Sequence, residues 1–246
     1  VENCVGRSSA SGLKFGTVSR GGFRNFKVKN IKIYDTYRSA ITFAAVDGAL
    51  IEDIEVDGVR SIHTGNVIYL RIGDRWSAGK KPIMKNITIK NVYAEIPMDK
   101  PDAGYNYEGP IEDLPRNISP ASIVGLPEYK IQNVTLQNIE IVSPGGGNPY
   151  YAYRGLAPAE LDSIPEMATS YPEFSQFKEL PAWGFYIRHA EGITFDNVTF
   201  KALKKDYRPA IVMDDAGEVT FKDVRFIEPE GEGKKQIFPY KSKVIK

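Results

Sequence analysis

The chain has 246 residues, 42% of them hydrophobic and 26% charged, and its 32 basic residues nearly balance 31 acidic ones for a net charge of +1. That balance leaves no basic surplus for nucleic acid or an anionic membrane surface, and no apolar run approaches the roughly 20 residues of a membrane-spanning helix. The lone Cys4 excludes an internal disulfide and a cysteine-built metal site, and His63 and His189, the only histidines, lack partners at ligand spacing. No metal or cofactor is therefore expected.

From the N-terminus onward, one phrase of two short strands with a small polar residue between them recurs. It runs FRNFKVKNIKI (23–33), IEDIEVDGVRS (51–61), MKNITIKNVYA (84–94), IQNVTLQNIEI (131–141), EGITFDNVTF (191–200) and GEVTFKDVRF (217–226). One polar column holds Asn25, Asp53, Asn86, Asn133, Gly192 and Glu218. A second holds Asn3, Asn30, Gly58, Asn91, Asn138, Asn197 and Asp223. Apolar residues alternate between the columns, as in Phe26 and Val28 or Val134 and Leu136, which is the period of a strand with one buried face. Asn and Gly tolerate a left-handed backbone, so each column marks a one-residue bend. Like phrases recur about every 27 residues where nothing is inserted.

A third strand precedes each phrase: GLKFGT (12–17), AITFAA (40–45), VIYLRIG (67–73), ASIVG (121–125), GFYIRH (184–189) and AIVMDD (210–215). Placing Leu13, Phe15, Ile41, Phe43, Ile68, Leu70, Phe185, Ile187, Ile211 and Met213 inward turns Lys14, Tyr69, Arg71, Tyr186 and Arg188 outward, with His189 at a strand end. Three short strands per repeat, stacked like on like, predict an all-β right-handed single-stranded parallel β-helix of about seven coils over 1–230, with a tail over 231–246. Two insertions, 97–120 and 143–182, enter beside the third strand and are expected to wall a groove along it. VENC matches the middle of the repeat, so the chain is expected to begin inside the structure, with an open first coil prone to self-association unless capped.

The second insertion is rich in Gly, Pro and Tyr. Tyr150, Tyr151, Tyr153 and Trp183 have the flat rings that stack on the C–H face of a sugar or pack a loop, and a short helix with Pro158 in its first turn is expected over 157–168. Asp214 and Asp215 look like the two carboxylates a glycosidase needs, but neighbours on a strand point to opposite faces. Asn86, Asn117, Asn133 and Asn197 match the N-glycosylation pattern, three of them as products of the repeat.

The run ENCVGRSSASGLKFGTVSRGGFRNFKVKNIKIYDTYRSAITF resembles the second half of the catalytic β-helix of glycoside hydrolase family 28, which includes polygalacturonases and rhamnogalacturonan hydrolases. PDAGYNYEGP and FKELPAWGFYIRHAEGITFDNVTF resemble its bacterial pectin-degrading members. The resemblance implies an enzyme that hydrolyses pectic polysaccharide with inversion, one carboxylic acid protonating the glycosidic oxygen and a second carboxylate activating water. It implies a secreted or periplasmic location, inferred from the substrate class. The chain departs from the family at two motifs: Ala10-Ser11-Gly12 stands at the Gly-His-Gly, and Thr42-Phe43-Ala44 at the Arg-Ile-Lys that holds the substrate carboxylate. The resemblance implies that the family's catalytic Asp motifs would fall before Val1, which leaves the catalytic residues unassigned, with Glu108, Glu112 and Asp113 of the first insertion as other carboxylates. Substrate contacts are expected from Lys14, Tyr69, Arg71, Tyr186, Arg188 and His189. Two other readings stay open: a non-catalytic carbohydrate-binding or structural protein, and a pectate-lyase-like enzyme, for which the groove strands show no carboxylate cluster to hold Ca²⁺.

Overall fold

In the computed structural model, which describes residues 1–99, 101, 115–148, 150, 154–229 and 235–245, the chain is built almost wholly of parallel strands. In order they are β1 (Glu2–Gly6), β2 (Leu13–Phe15), β3 (Gly22–Ala45), β4 (Leu50–Ile72), β5 (Ile83–Glu95), β6 (Ala121–Val124) and β7 (Ile131–Gly145). A short helix α1 (Pro158–Asp162) and a 3₁₀ turn (Phe174–Phe177) follow. The chain then runs through β8 (Phe185–Lys204), β9 (Ile211–Lys222), β10 (Arg225–Ile227), β11 (Ile237–Tyr240) and β12 (Val244–Ile245).

Every residue of the two polar columns has a positive φ, from 51° at Asn30 and Asp223 to 79° at Gly58. These are single left-handed bends, the conformation that Asn, Asp and Gly adopt at least cost. They turn the chain without ending it, which is why β3 and β4 run on for 24 and 23 residues. The pairings put equivalent positions of successive phrases side by side: Lys29 beside Asp57, Asp57 beside Lys90, Lys90 beside Gln137 and Gln137 beside Asp196. Along the second column the stacked amides bond to one another. Asn30 donates to Asn3 at 2.6 Å, Asn138 to Asn91 at 3.1 Å and Asn197 to Asn138 at 3.0 Å.

The expectation of a right-handed single-stranded parallel β-helix of about seven coils is overturned in favour of a different all-β arrangement. The strands form one twelve-stranded sheet. Within it β4 pairs with β5, β5 with β7, β7 with β8, β8 with β6 and β6 with β4, a closed parallel ring to which the other strands attach. A sequence period fixes the register between successive copies but carries no information on closure. Here β6, which lies between the two insertions, closes the ring. Its residues Ser122, Ile123 and Val124 pair with the end of β4 on one side and the start of β8 on the other. The segment expected as a tail also joins the sheet, since β11 and β12 both pair with β9.

Two apolar cores result. The main one takes the inward residues of the alternation, including Ile41, Phe43, Ile68, Leu70, Phe185, Ile187, Ile211 and Met213. A second gathers Tyr69, Val124, Tyr186 and Val212 from the outward face together with Leu161, Ile164, Phe174, Phe177 and Leu180 of the second insertion. The insertion is therefore packed down on the strands rather than standing beside them. Among the described residues no helix is long and apolar enough to cross a membrane.

Candidate functional site

The six expected contact residues divide between two environments. Tyr69 and Tyr186 lie in the second core, at most 2% exposed, and burial pushes both phenols far above their usual range. The Arg71 guanidinium donates to the Gly125 carbonyl at 3.2 Å and to that of Glu166, and burial lowers its pKa. Arg188 donates to the Ile164 carbonyl at 2.7 Å and pairs with Glu166 at 2.6 Å and with Asp214, its neighbour on β9, at 3.1 Å. These four side chains do point outward from the strands. The insertion covers them, and they hold it in place.

His189 belongs to the same network through a bend. Its φ is 49°, its Nδ1 lies 2.8 Å from Asp215 on the adjacent strand, and its Nε2 lies 3.1 Å from Glu166. His63 repeats the pattern, with φ 57° and Nδ1 2.7 Å from Asp35. Both histidines are thus bend residues tied to an aspartate one strand away. Burial raises the Asp214 carboxyl above the usual carboxylate range even against the charge of Arg188. Burial also acts to raise Glu166 and Asp215, but is outweighed: His189 and Arg188 bring Glu166 below that range, and His189 and Lys130 do the same for Asp215. The adjacent acids of AIVMDD therefore serve separate partners, Arg188 and His189.

Lys14 stands apart. From β2 its ammonium donates to the Tyr171 hydroxyl at 3.0 Å, and Arg38 of β3 donates to the same oxygen at 3.2 Å. Lys14, Arg38 and Arg75 sit 5.0, 5.2 and 5.7 Å from the centre of the Tyr171 ring. Arg75 stacks at 3.8 Å on Trp76, whose carbonyl accepts from Arg20, whose own carbonyl accepts from Lys80. Among the described residues this chain of contacts joins Lys14, Arg20, Arg38, Arg75 and Lys80 to two carboxylates: Asp47, clamped by Arg75 at 2.7 and 3.0 Å, and Glu173, paired with Arg38. Lys14, Arg20 and Lys80 have no carboxylate partner among the described residues. Trp76 is 54% and Tyr171 39% exposed, so two aromatic faces and a cationic surplus open to solvent together. Burial alone would raise the Tyr171 pKa; Thr17, Lys14 and Arg38 around the hydroxyl bring it down to about 8.

The sequence reading did not single out Arg38, Arg75, Trp76 and Tyr171. An Arg-Trp pair in the polar loop DRWSAGKK, where no core needs a Trp, was the available signal; Tyr171 had none beyond its tyrosine-rich insertion. Of the rings proposed for stacking, Trp183 is buried against Phe200 and Tyr150 is fully exposed, while Tyr151 and Tyr153 lie outside the described residues, as do Glu108, Glu112 and Asp113. A groove of about 500 Å³ runs over the Asn91, Asn138 and Asn197 ladder, where side-chain amides are spent on one another. The Lys14 patch, with donors not so spent, is the better candidate. Among the described residues no group of three or more His, Cys, Asp or Glu side chains is placed to hold a metal ion.

Comparison of the chain with family models, with curated proteins and with solved structures yields no match.

Proposed function

We propose that this protein recognises acidic pectic polysaccharide, a polymer carrying galacturonate carboxylates, through the surface formed by Lys14, Arg20, Arg38, Arg75, Trp76 and Tyr171. The observation that carries the reading is the coincidence of two cations, Lys14 and Arg20, that have no carboxylate partner among the described residues with an exposed Trp in one contact network. An ammonium suits a carboxylate, and an aromatic face suits the apolar C–H face of a pyranose. The resemblance of residues 2–48 to glycoside hydrolase family 28 supports the same substrate class and work outside the cytoplasm. Hydrolysis by two carboxylates finds less support here, because both acids of the network, Asp47 and Glu173, are spent on arginines.

Calorimetric titration with an oligogalacturonate tests this reading. Binding that weakens as salt is raised is expected. Lys14→Met should cost about tenfold in affinity, the worth of one charge-assisted hydrogen bond, and Trp76→Ala a comparable amount. Equal affinity for the same oligosaccharide with its carboxylates reduced to alcohols, or no binding of either, would sink it.

A further inference from the structure

The patch holds one phenol hydroxyl between its cations. Its carboxylates Asp47 and Glu173 are paired with guanidinium groups, whereas the Tyr171 hydroxyl, on a residue 39% exposed, accepts hydrogen bonds from two cations. We propose that Tyr171 is the proton acceptor in a β-elimination that cleaves the bound polymer, with Lys14 neutralising the uronate carboxylate. This rests on the binding reading above.

The chemistry follows from the ligand. In a 4-linked uronate the C5 hydrogen is α to the carboxylate, and removing it places charge on the carboxylate oxygens. A cation beside them is what that transition state needs, because it stabilises charge that develops only there. The tyrosinate takes the proton from C5. The C5–H electrons become the C4=C5 double bond as the C4–O4 bond breaks, and the departing oxygen recovers the proton from Tyr171. Tyr171 is regenerated and water is not consumed. One fragment ends in an unsaturated uronate and the other in a new reducing end. Lys14 suits its part because among the described residues it has no competing carboxylate. Tyr171 suits its own because a base is most effective when its pKa lies near the working pH, and the surrounding donors bring this phenol to about 8.

The full chain is incubated with polygalacturonan while ultraviolet absorbance of the new double bond and reducing ends are recorded together, with oligogalacturonate binding measured in parallel. Equal molar release of both signals is expected, at a rate that rises with pH and levels off above about 8. Tyr171→Phe should lower the rate by about a hundredfold or more, the usual contribution of a general base. Reducing ends without ultraviolet product would show hydrolysis and overturn the proposal. So would binding with no product, or a Tyr171→Phe rate equal to wild type; each of these leaves the binding reading standing. Absence of binding by the wild type would remove both.

Discussion

The Lys14 ammonium donates to the Tyr171 hydroxyl at 3.0 Å across 157 residues of chain, fastening the second insertion to β2. The contact is charge-assisted, and it has a titration signature. The folded protein gives up the Tyr171 proton near pH 8, while the unfolded chain keeps it to about 10. Between those values the unfolded state binds more protons, so stability rises with pH there, and the gain is lost as pH falls through 8. Tyr171 is 39% exposed, so screening holds the gain to about 1 kcal/mol or less. Spectrophotometric titration of wild type should show one tyrosine ionising near pH 8, absent in Tyr171→Phe and moved upward in Lys14→Met. A wild-type curve with no ionisation below pH 9.5 would contradict the contact.

Arg188 is expected to be the most sensitive position of the covered face. Its guanidinium joins Glu166 on the insertion, Asp214 on β9 and the Ile164 carbonyl. Arg188→Met leaves Asp214, with a side chain 4% exposed, as a buried carboxylate without its cation. Breaking such a pair from one side costs about 3–5 kcal/mol. The loss should shrink in acid, where Asp214 escapes by taking up a proton. Asp214→Asn should cost less, since Arg188 keeps Glu166. Urea unfolding of both variants at pH 7 and pH 4 checks the ranking, and equal losses would refute it.

The Tyr186 hydroxyl makes no hydrogen bond among the described residues, on a side chain that is fully buried. An unsatisfied buried hydroxyl carries its desolvation cost without return, so Tyr186→Phe should keep the ring's packing and stabilise the protein by up to about 1 kcal/mol. A loss of stability in chemical denaturation would mean that the hydroxyl has a partner after all, for example a bound water.

Strand phase and bend positions were legible in the sequence because both are local. Alternation put Ile68 and Leu70 in the main core and Tyr69 and Arg71 on its outer face, and the Asn and Gly residues that dominate the two columns announced left-handed bends. What the outer face meets was not legible. Tyr69 and Tyr186 look the same in sequence whether a sugar or a loop covers them, and Leu161, Ile164 and Phe174 of the insertion decide it. Closure escaped for a related reason. The four-residue β6 is too short to show a period, and its pairing with both β4 and β8 joins parts of the chain far apart in sequence. The Lys14 site divided along the same line. Lys14 lies on a phased strand, while Trp76 and Tyr171 come from loops, where no periodicity says which way a side chain points.

Gly58 interrupts the amide ladder. Its φ is 79°, in the region its neighbours Asn30 and Asn91 occupy at 51° and 56°, and a Cβ placed there would meet the Asn30 backbone nitrogen at 3.4 Å, an ordinary contact. Asn30 donates to Asn3 on one side, but nothing in this column donates to Asn30 from the other, and Asn91 donates instead to Asp57 at 2.7 Å. Gly58→Asn would supply an amide within the stack and reduce the freedom of the unfolded chain, two effects of the same sign. Asn also tolerates the left-handed backbone better than other side chains. The expected outcome is a gain of about 1 kcal/mol, read as a higher urea midpoint with an unchanged slope. Gly58→Val should be destabilising, because a β-branched side chain pays the full strain of a positive φ and brings no donor. If both variants lose stability alike, the bend at this position requires glycine itself, and the ladder ends at Asn30 because the backbone there cannot carry a side chain.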